Sequence, residues 1–160
     1  MVDIRTVFDP SDFVADYLLL PSGQLDNSRD IATAIVISLF TDRRADDTDV
    51  LPLGETDRRG VWSDVNGLDL YGVARQGSRL WLLAREKVVE DVRVRAEFYI
   101  TEALQWMIDL GVVARFAIDV AFAGPVETRR LEACITAFRA DGTRVDLRFE
   151  RLWQDILETA

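Results

Sequence analysis

An α+β protein, with buried helices packed on one face of a C-terminal three-stranded antiparallel meander, is the fold class this sequence predicts. Three observations predict it. Apolar residues recur at helical spacing from Ile31 to Leu39 and again from Val92 to Leu110, the period switches to two from Phe116 onward, and Asp141-Gly142 separates two of the alternating runs. Helices first and strands afterwards make a layered arrangement in which the long helix covers the apolar face of the sheet.

The elements follow in order. Val14, Tyr17 and the run Leu18-Leu19-Leu20 are apolar and end at Pro21-Ser22-Gly23, so a short strand is expected around Asp16 to Leu20, closed by that turn. Asn27 with Asp30 three residues on offers a helix start, and the stripe Ile31, Ala34, Ile35, Ser38 and Leu39, flanked by Ile37 and Phe40, predicts a largely buried helix to about Arg43. From 45 to 76 the chain is rich in Asp and Gly and shows no period, which predicts a long loop, tied down by Trp62, Val65, Leu68, Leu70 and Tyr71. Ser78 is placed to cap a short helix from Leu80 to about Val89. A longer one opens near Asp91 and is stopped by Gly111 after Leu110.

The strands are then dictated by alternation. Phe116, Ile118, Val120 and Phe122 face one way, as do Leu131, Ala133, Ile135 and Ala137, and then Val145, Leu147 and Phe149. Gly124-Pro125 and Asp141-Gly142 supply the two turns. At 160 residues, with 49% hydrophobic residues, a single domain spanning 1–160 is the expectation.

Composition bounds the chemistry. Without histidine there is no imidazole base, no imidazole ligand and no histidine-dependent triad. A net charge of −9 argues against a nucleic-acid partner, which needs a basic face. No signal-peptide pattern opens the chain, and nowhere do about 18 apolar residues follow one another, so no membrane partner is expected. The one cysteine, Cys134, falls in an alternating run and is expected to be an inert packing residue.

No arrangement of catalytic residues emerges. The acidic run Asp42 to Asp49 fails as a calcium loop, since Pro52 occupies the sixth position counted from Asp47, and reads instead as a solvated loop. Glu86, Glu90 and Asp91 have no carboxylate placed opposite them, as a glycosidase requires, and read as helix-surface charges paired with Arg85, Lys87 and Arg93. Ser38 and Ser78 lack the context of an activated nucleophile. No glycine-rich phosphate loop occurs, and no cofactor or metal is expected.

What stands out is arginine beside large apolar residues. Arg43 and Arg44 follow Phe40, Arg58 and Arg59 precede Trp62, and Arg79 precedes Trp81. A planar, permanently charged guanidinium suits semi-buried ion pairs, and Trp and Arg are enriched where proteins dock. These seven residues are the candidates for a structural or docking centre: the arginines would fix the long loop onto the helices or onto a partner, with Trp62 and Trp81 as apolar anchors.

The blocks Ile37-Ser38-Leu39-Phe40-Thr41-Asp42-Arg43-Arg44-Ala45, Asp57-Arg58-Arg59-Gly60 with Trp62 and Asp64, Gly77-Ser78-Arg79-Leu80-Trp81-Leu82-Leu83 with Arg85-Glu86-Lys87, and Glu102-Ala103-Leu104-Gln105-Trp106 carry a resemblance. In order and spacing, across roughly residues 25 to 155, the chain resembles the Mu-like bacteriophage baseplate proteins. These are wedge components of contractile tails, distantly similar to lysozyme-like wedge or sheath-initiator proteins. Two departures stand against it: Val61-Trp62-Ser63-Asp64 replaces a tryptophan pair followed by Gly-Asp, and the Glu-Pro-Arg signature of the distant relatives is absent. The resemblance implies a non-enzymatic virion part, assembled in the host bacterial cytoplasm and located in the tail baseplate. It implies neighbouring baseplate subunits as partners, first a J-like wedge protein, and a sheath protein that could add a strand to a sheet edge. From other classes, the competing readings are an acidic adaptor or inhibitor of a basic partner and a carboxylate-based glycoside hydrolase.

Overall fold

The computed structural model describes residues 6–9, 14–17, 21–24, 30–52, 54–61, 76–125, 128–150 and 152, with the two N-terminal strands described by their backbone. Packing divides the chain into two units, Met1–Ile37 and Ser38–Ala160.

The first unit opens with a hairpin. β1 (Thr6–Asp9) pairs antiparallel with β2 (Val14–Tyr17), Thr6 opposite Tyr17 and Asp9 opposite Val14. Sequence alternation finds only the second of these strands, and finds it two residues late. A four-residue strand beside Pro10 offers too few positions to show a period of two, so pairing defines β1 where pattern does not. Pro21 to Gln24 form an exposed turn, as expected.

α1 (Asp30–Phe40) begins with an acid whose Oδ1 accepts from the Ile31 N–H at 2.8 Å. Its predicted N-cap, Asn27, lies outside the described residues. Ile31, Ile35, Ser38 and Leu39 are buried, whereas Ile37 and Phe40 at the edge of the stripe remain over 40% exposed. The helix stops three residues before Arg43. Asp42 is drawn into a parallel bridge with Ser78, held through its neighbours by the Ser78 N–H donating to Thr41 O at 2.9 Å and the Arg43 N–H to Ser78 O at 3.0 Å. Those bonds use backbone groups that further helix would need.

Residues 42–52, 54–61 and 76 carry no helix and no extended strand, in agreement with the predicted loop, while Trp62, Val65, Leu68, Leu70 and Tyr71 lie outside the described residues. Leu80–Leu83 forms a single 3-10 turn rather than a helix to Val89. All four of its residues are buried, and a stretch buried all round cannot present the polar face that a longer surface helix needs. Ser78 serves it from just before the cap position, its Oγ accepting from the Leu80 N–H at 3.1 Å.

α2 (Glu90–Asp109) buries Val92, Ala96, Tyr99, Ile100, Ala103, Leu104 and Met107, one stripe at spacings of three and four. Glu90 and Asp91 sit in its first turn, where acids complement the helix dipole. Gly111 ends it at φ 68°, with its N–H bonded to Ile108 O and the Val112 N–H to Met107 O, both at 2.9 Å. Of the expected surface pairs, Glu90 with Arg93 forms, while Glu86 and Asp91 turn to Arg95 instead. Arg93 takes Glu90 and Glu97 and Arg95 takes Asp91, positions three and four apart that are neighbours on the helix surface, and Arg95 also reaches Glu86 in the segment before α2.

β3 (Arg115–Ala123), β4 (Arg130–Phe138) and β5 (Arg144–Phe149) form an antiparallel meander in that order. Register brings Ile118, Ile135 and Leu147 into one row, Phe116, Ala137 and Val145 into a second, and Val120, Ala133 and Phe149 into a third. α2 packs along β3, with Arg93 Nη1 donating to Val120 O at 3.3 Å. The β4–β5 turn is built by Asp141, whose Oδ1 accepts from the Thr143 N–H at 2.9 Å, and by Gly142 at φ 85°.

The same register corrects the expectation for Cys134. With Ala133 and Ile135 turned inward, Cys134 must face outward, and its thiol is exposed between Asp119 and Arg148 of the neighbouring strands.

An arginine-carboxylate clamp as candidate functional site

The site grows from a constraint at Gly77. Its φ of +99° is open to glycine, and a Cβ there would stand 2.4 Å from Thr41 O. That close approach allows the bridge between Thr41–Arg43 and Ser78, which fixes where the next side chain starts.

Arg79 is 9% exposed. Its Nε and Nη2 donate to Oε2 and Oε1 of Glu102 on α2, at 3.0 and 3.1 Å, forming a two-bond fork. The remaining Nη1 donates to Asp49 at 3.0 Å and to Asp46 at 3.2 Å, and the guanidinium lies 4.8 Å from the centre of the Tyr99 ring. Burial pulls the Arg79 pKa down, but the hydrogen bonds it donates to Asp49 and Glu102 outweigh it and hold the group above the ordinary arginine value. Burial also pushes the Tyr99 phenol up, against the pull of Arg79.

Arg43 joins the same carboxylate, its Nη1 lying 3.1 Å from Glu102 Oε2. Its carbonyl accepts from the Trp81 Nε1–H at 2.9 Å, so the buried indole has a partner for its only polar atom. Arg59 covers the ring of Trp81 at 4.4 Å and pairs with Asp42 at 2.8 Å and Glu55 at 3.5 Å. It does so from the left-handed region, at φ 52°, held by its own N–H donating to Asp57 Oδ1. Arg58 donates through Nη1 to Asp46 O and through Nη2 to Asp47 O, and its own carbonyl accepts from the Ala45 N–H at 2.9 Å.

Five of the seven candidates, Arg43, Arg58, Arg59, Arg79 and Trp81, thus meet in one network. Arg44 does not: it is exposed and makes no ion pair with any described residue. Trp62 lies outside the described residues.

Sequence reasoning missed the carboxylates. Asp46 and Asp49, read as solvated, turn inward to Arg79, while Asp47 alone fits that reading, its side chain fully exposed. Glu102 sits 23 residues from Arg79 and 59 from Arg43, and only its place at the head of the Glu102–Trp106 block hinted at it. Trp106 of that block donates its Nε1–H to Ser38 Oγ at 3.0 Å, which gives the buried serine of α1 its partner.

Among the described residues no group of histidine, cysteine or carboxylate side chains is placed to hold a metal ion, and no helix is long and apolar enough to cross a membrane.

Fold and site together define a small α+β structural module in which a clamp of arginines and carboxylates ties an irregular loop to a helix. Comparison with known proteins places that module: the chain belongs to the family described as phage protein GP46, whose model matches residues 31–144. It is 50% identical over 90 residues to the baseplate protein gp46 of Escherichia phage Mu, covering 56% of this chain and 57% of that protein. It is 40% identical over 89 residues to the Mu-like prophage FluMu protein gp46 of Haemophilus influenzae, covering 55% and 53%. The chain thus spans somewhat more than half the length of the curated relatives it matches.

Proposed function

We propose that this chain is a structural, non-enzymatic component of a phage tail baseplate. The observation that carries the reading is its 50% identity to a protein named for the baseplate, over 90 residues. The clamp supports it physically. Arg79, Arg43 and Glu102 hold loop, 3-10 turn and α2 at fixed mutual distances, and a subunit placed between larger neighbours needs that rigidity.

At finer grain, the chain docks onto neighbouring wedge subunits, a J-like wedge protein first, during assembly in the host cytoplasm, and from there enters the virion. Arg44, exposed beside the clamp, is the arginine we assign to docking, and Arg43, Arg58, Arg59 and Arg79 with Trp81 hold the loop. Among the described residues of the second unit, β3 and β5 each pair with β4 alone, and an added strand from a sheath protein fits that geometry. An acidic adaptor would gather its carboxylates on one open face. In this chain Asp42, Asp46, Asp49, Glu55 and Glu102 are instead drawn onto arginines of the same chain.

The experiment is co-expression with the neighbouring tail proteins of the same genome, followed by size-exclusion chromatography. Co-elution with the J-like wedge protein is expected. A well-folded chain that binds none of them overturns the proposal.

A further inference from the structure

β5 carries its charges in strict alternation. Arg144, Asp146, Arg148 and, one residue past the strand, Glu150 share the outer face of the sheet, and Val145, Leu147 and Phe149 share the inner one. The side chains of Arg144, Asp146 and Arg148 are 69%, 56% and 63% exposed. β4 answers these charges only in part: register sets Arg144 against Phe138, Asp146 against Thr136 and Arg148 against Cys134, with Arg148 reaching Glu132 at 2.9 Å. The inner side is incomplete as well. Leu131, Ala133, Ile135 and Ala137 of β4 are buried, whereas Val145, Leu147 and Phe149 remain partly exposed, and Phe40, its ring edge-on to Phe149, is 48% exposed.

The backbone of β5 also has a side to offer. The Arg139 N–H donates to Thr143 O at 2.9 Å, and bonding alternates along an antiparallel ladder. Val145, Leu147 and Phe149 therefore turn their N–H and C=O toward β4, while Arg144, Asp146 and Arg148 turn theirs away from it. β3, the other strand that pairs with β4 alone among the described residues, differs: α2 packs along it, and Arg93 donates to Val120 O.

We infer that two copies of this chain pair through β5, antiparallel, about a two-fold axis at Leu147. In that register Arg144 faces Glu150 of the second copy and Asp146 faces its Arg148, and symmetry repeats both pairs, so each of these charges meets its opposite. On the inner face Val145 meets Phe149 and Leu147 meets its own copy, while Asp146 and Arg148 exchange the backbone bonds. An axis at Asp146 would instead set Arg144 against Arg148, and one at Arg148 would set Asp146 against Glu150, like charge on like. Registers between these turn apolar side chains against charged ones. A strand whose charges alternate evenly is its own complement when reversed, and this selects a second copy as the occupant. The inference goes beyond the baseplate reading and does not rest on it. Pairing closes an edge that is otherwise open to chance association, and any strand added at β5 must displace the second copy.

The test is sedimentation velocity of the full chain from about 10 μM to about 1 mM, the range suited to an interface below about 1,200 Å². Wild type is expected to move toward twice 18.1 kDa across that range. Asp146→Arg and Arg148→Asp are each expected to weaken association by about tenfold or more, because each sets like charges opposite one another at two places. Circular dichroism checks that both variants stay folded. Mixed in equal amounts, the two variants are complementary again and are expected to associate. Leu147→Cys in a Cys134→Ser background is expected to cross-link the copies on mild oxidation, since the side chains at the axis face one another. A chain that stays monomeric throughout, a dimer indifferent to both charge reversals, or folded variants that remain apart when mixed overturns the inference.

Discussion

Glu102 grips Arg79 with both carboxylate oxygens, Nε to Oε2 at 3.0 Å and Nη2 to Oε1 at 3.1 Å, and the Oε2 that takes Nε also faces Arg43 at 3.1 Å. One side chain on α2 therefore fixes the two arginines on either side of the long loop. Glu102→Gln keeps the shape and removes the negative charge that Arg43 and Arg79 share. The expected loss is about 2–3 kcal/mol, below the roughly 3–5 kcal/mol of a fully buried pair, because Glu102 keeps 25% exposure. Urea unfolding monitored by circular dichroism checks it, and a loss under about 0.5 kcal/mol removes Glu102 from the centre of the clamp.

Two neighbouring arginines are expected to behave oppositely. Arg43→Ala removes a contact to Glu102 and should cost about 1–2 kcal/mol. Arg44→Ala touches no described partner and should stay within about 0.5 kcal/mol of wild type, while weakening co-elution with the J-like wedge protein. Stability and binding measured on the same two variants separate folding from docking.

Gly77→Ala and Gly142→Ala place the same methyl group on backbones of similar sign, φ +99° and +85°, but in different surroundings. At Gly142 nothing lies within 4 Å, so only conformational strain of about 1 kcal/mol is expected. At Gly77 the new carbon would meet Thr41 O at 2.4 Å, so the bridge to Ser78 must give way and the cost should exceed that of Gly142→Ala by at least about 1 kcal/mol. Thermal melts of the pair decide it; equal melting temperatures would show that the bridge contributes nothing.

The outer face of the meander sets a pH dependence. The hydrogen bond from Arg148, with Arg130 close by, holds the Glu132 carboxyl below the usual glutamate range. The unfolded chain therefore takes up this proton first on acidification. The contribution is complete above the unfolded value of about 4.3 and fades as pH falls through the lower folded value. Glu132→Gln should accordingly be less stable than wild type near neutrality, with the gap closing below about pH 4. A gap that widens in acid would contradict the sign.

Cys134 offers a test of register. With its thiol outward on the central strand, an aromatic disulfide reagent should label it in the native state, and Cys134→Ser should alter stability by less than about 0.5 kcal/mol. A thiol that reacts only on unfolding would mean that the strand is turned over.

Much of this architecture could be read from the chain because periodicity is local. The helical stripe from Val92 to Met107, the alternation through Phe116 to Phe149 and the Asp141-Gly142 turn each depend on neighbours a few residues away, and α2 and the meander appear where those patterns lie. The pairing of arginine with tryptophan was not legible in that way: Arg59 covers the Trp81 ring from 22 residues away, while Arg79, two residues from Trp81, lies over Tyr99.

What the sequence by itself determined was therefore the fold class, the Asp141-Gly142 turn of the meander and the family blocks. Which carboxylate each arginine meets was decided only by the tertiary structure. Arg79 reaches back 30 residues to Asp49 and forward 23 to Glu102, and no spacing rule spans such distances. The same holds for Asp46 and Asp49, which are indistinguishable from solvated Asp47 until the Gly77 crossing brings Arg79 beside them. Propensity and period act along the chain. Charge pairing acts through space, between segments that meet only after the fold has closed.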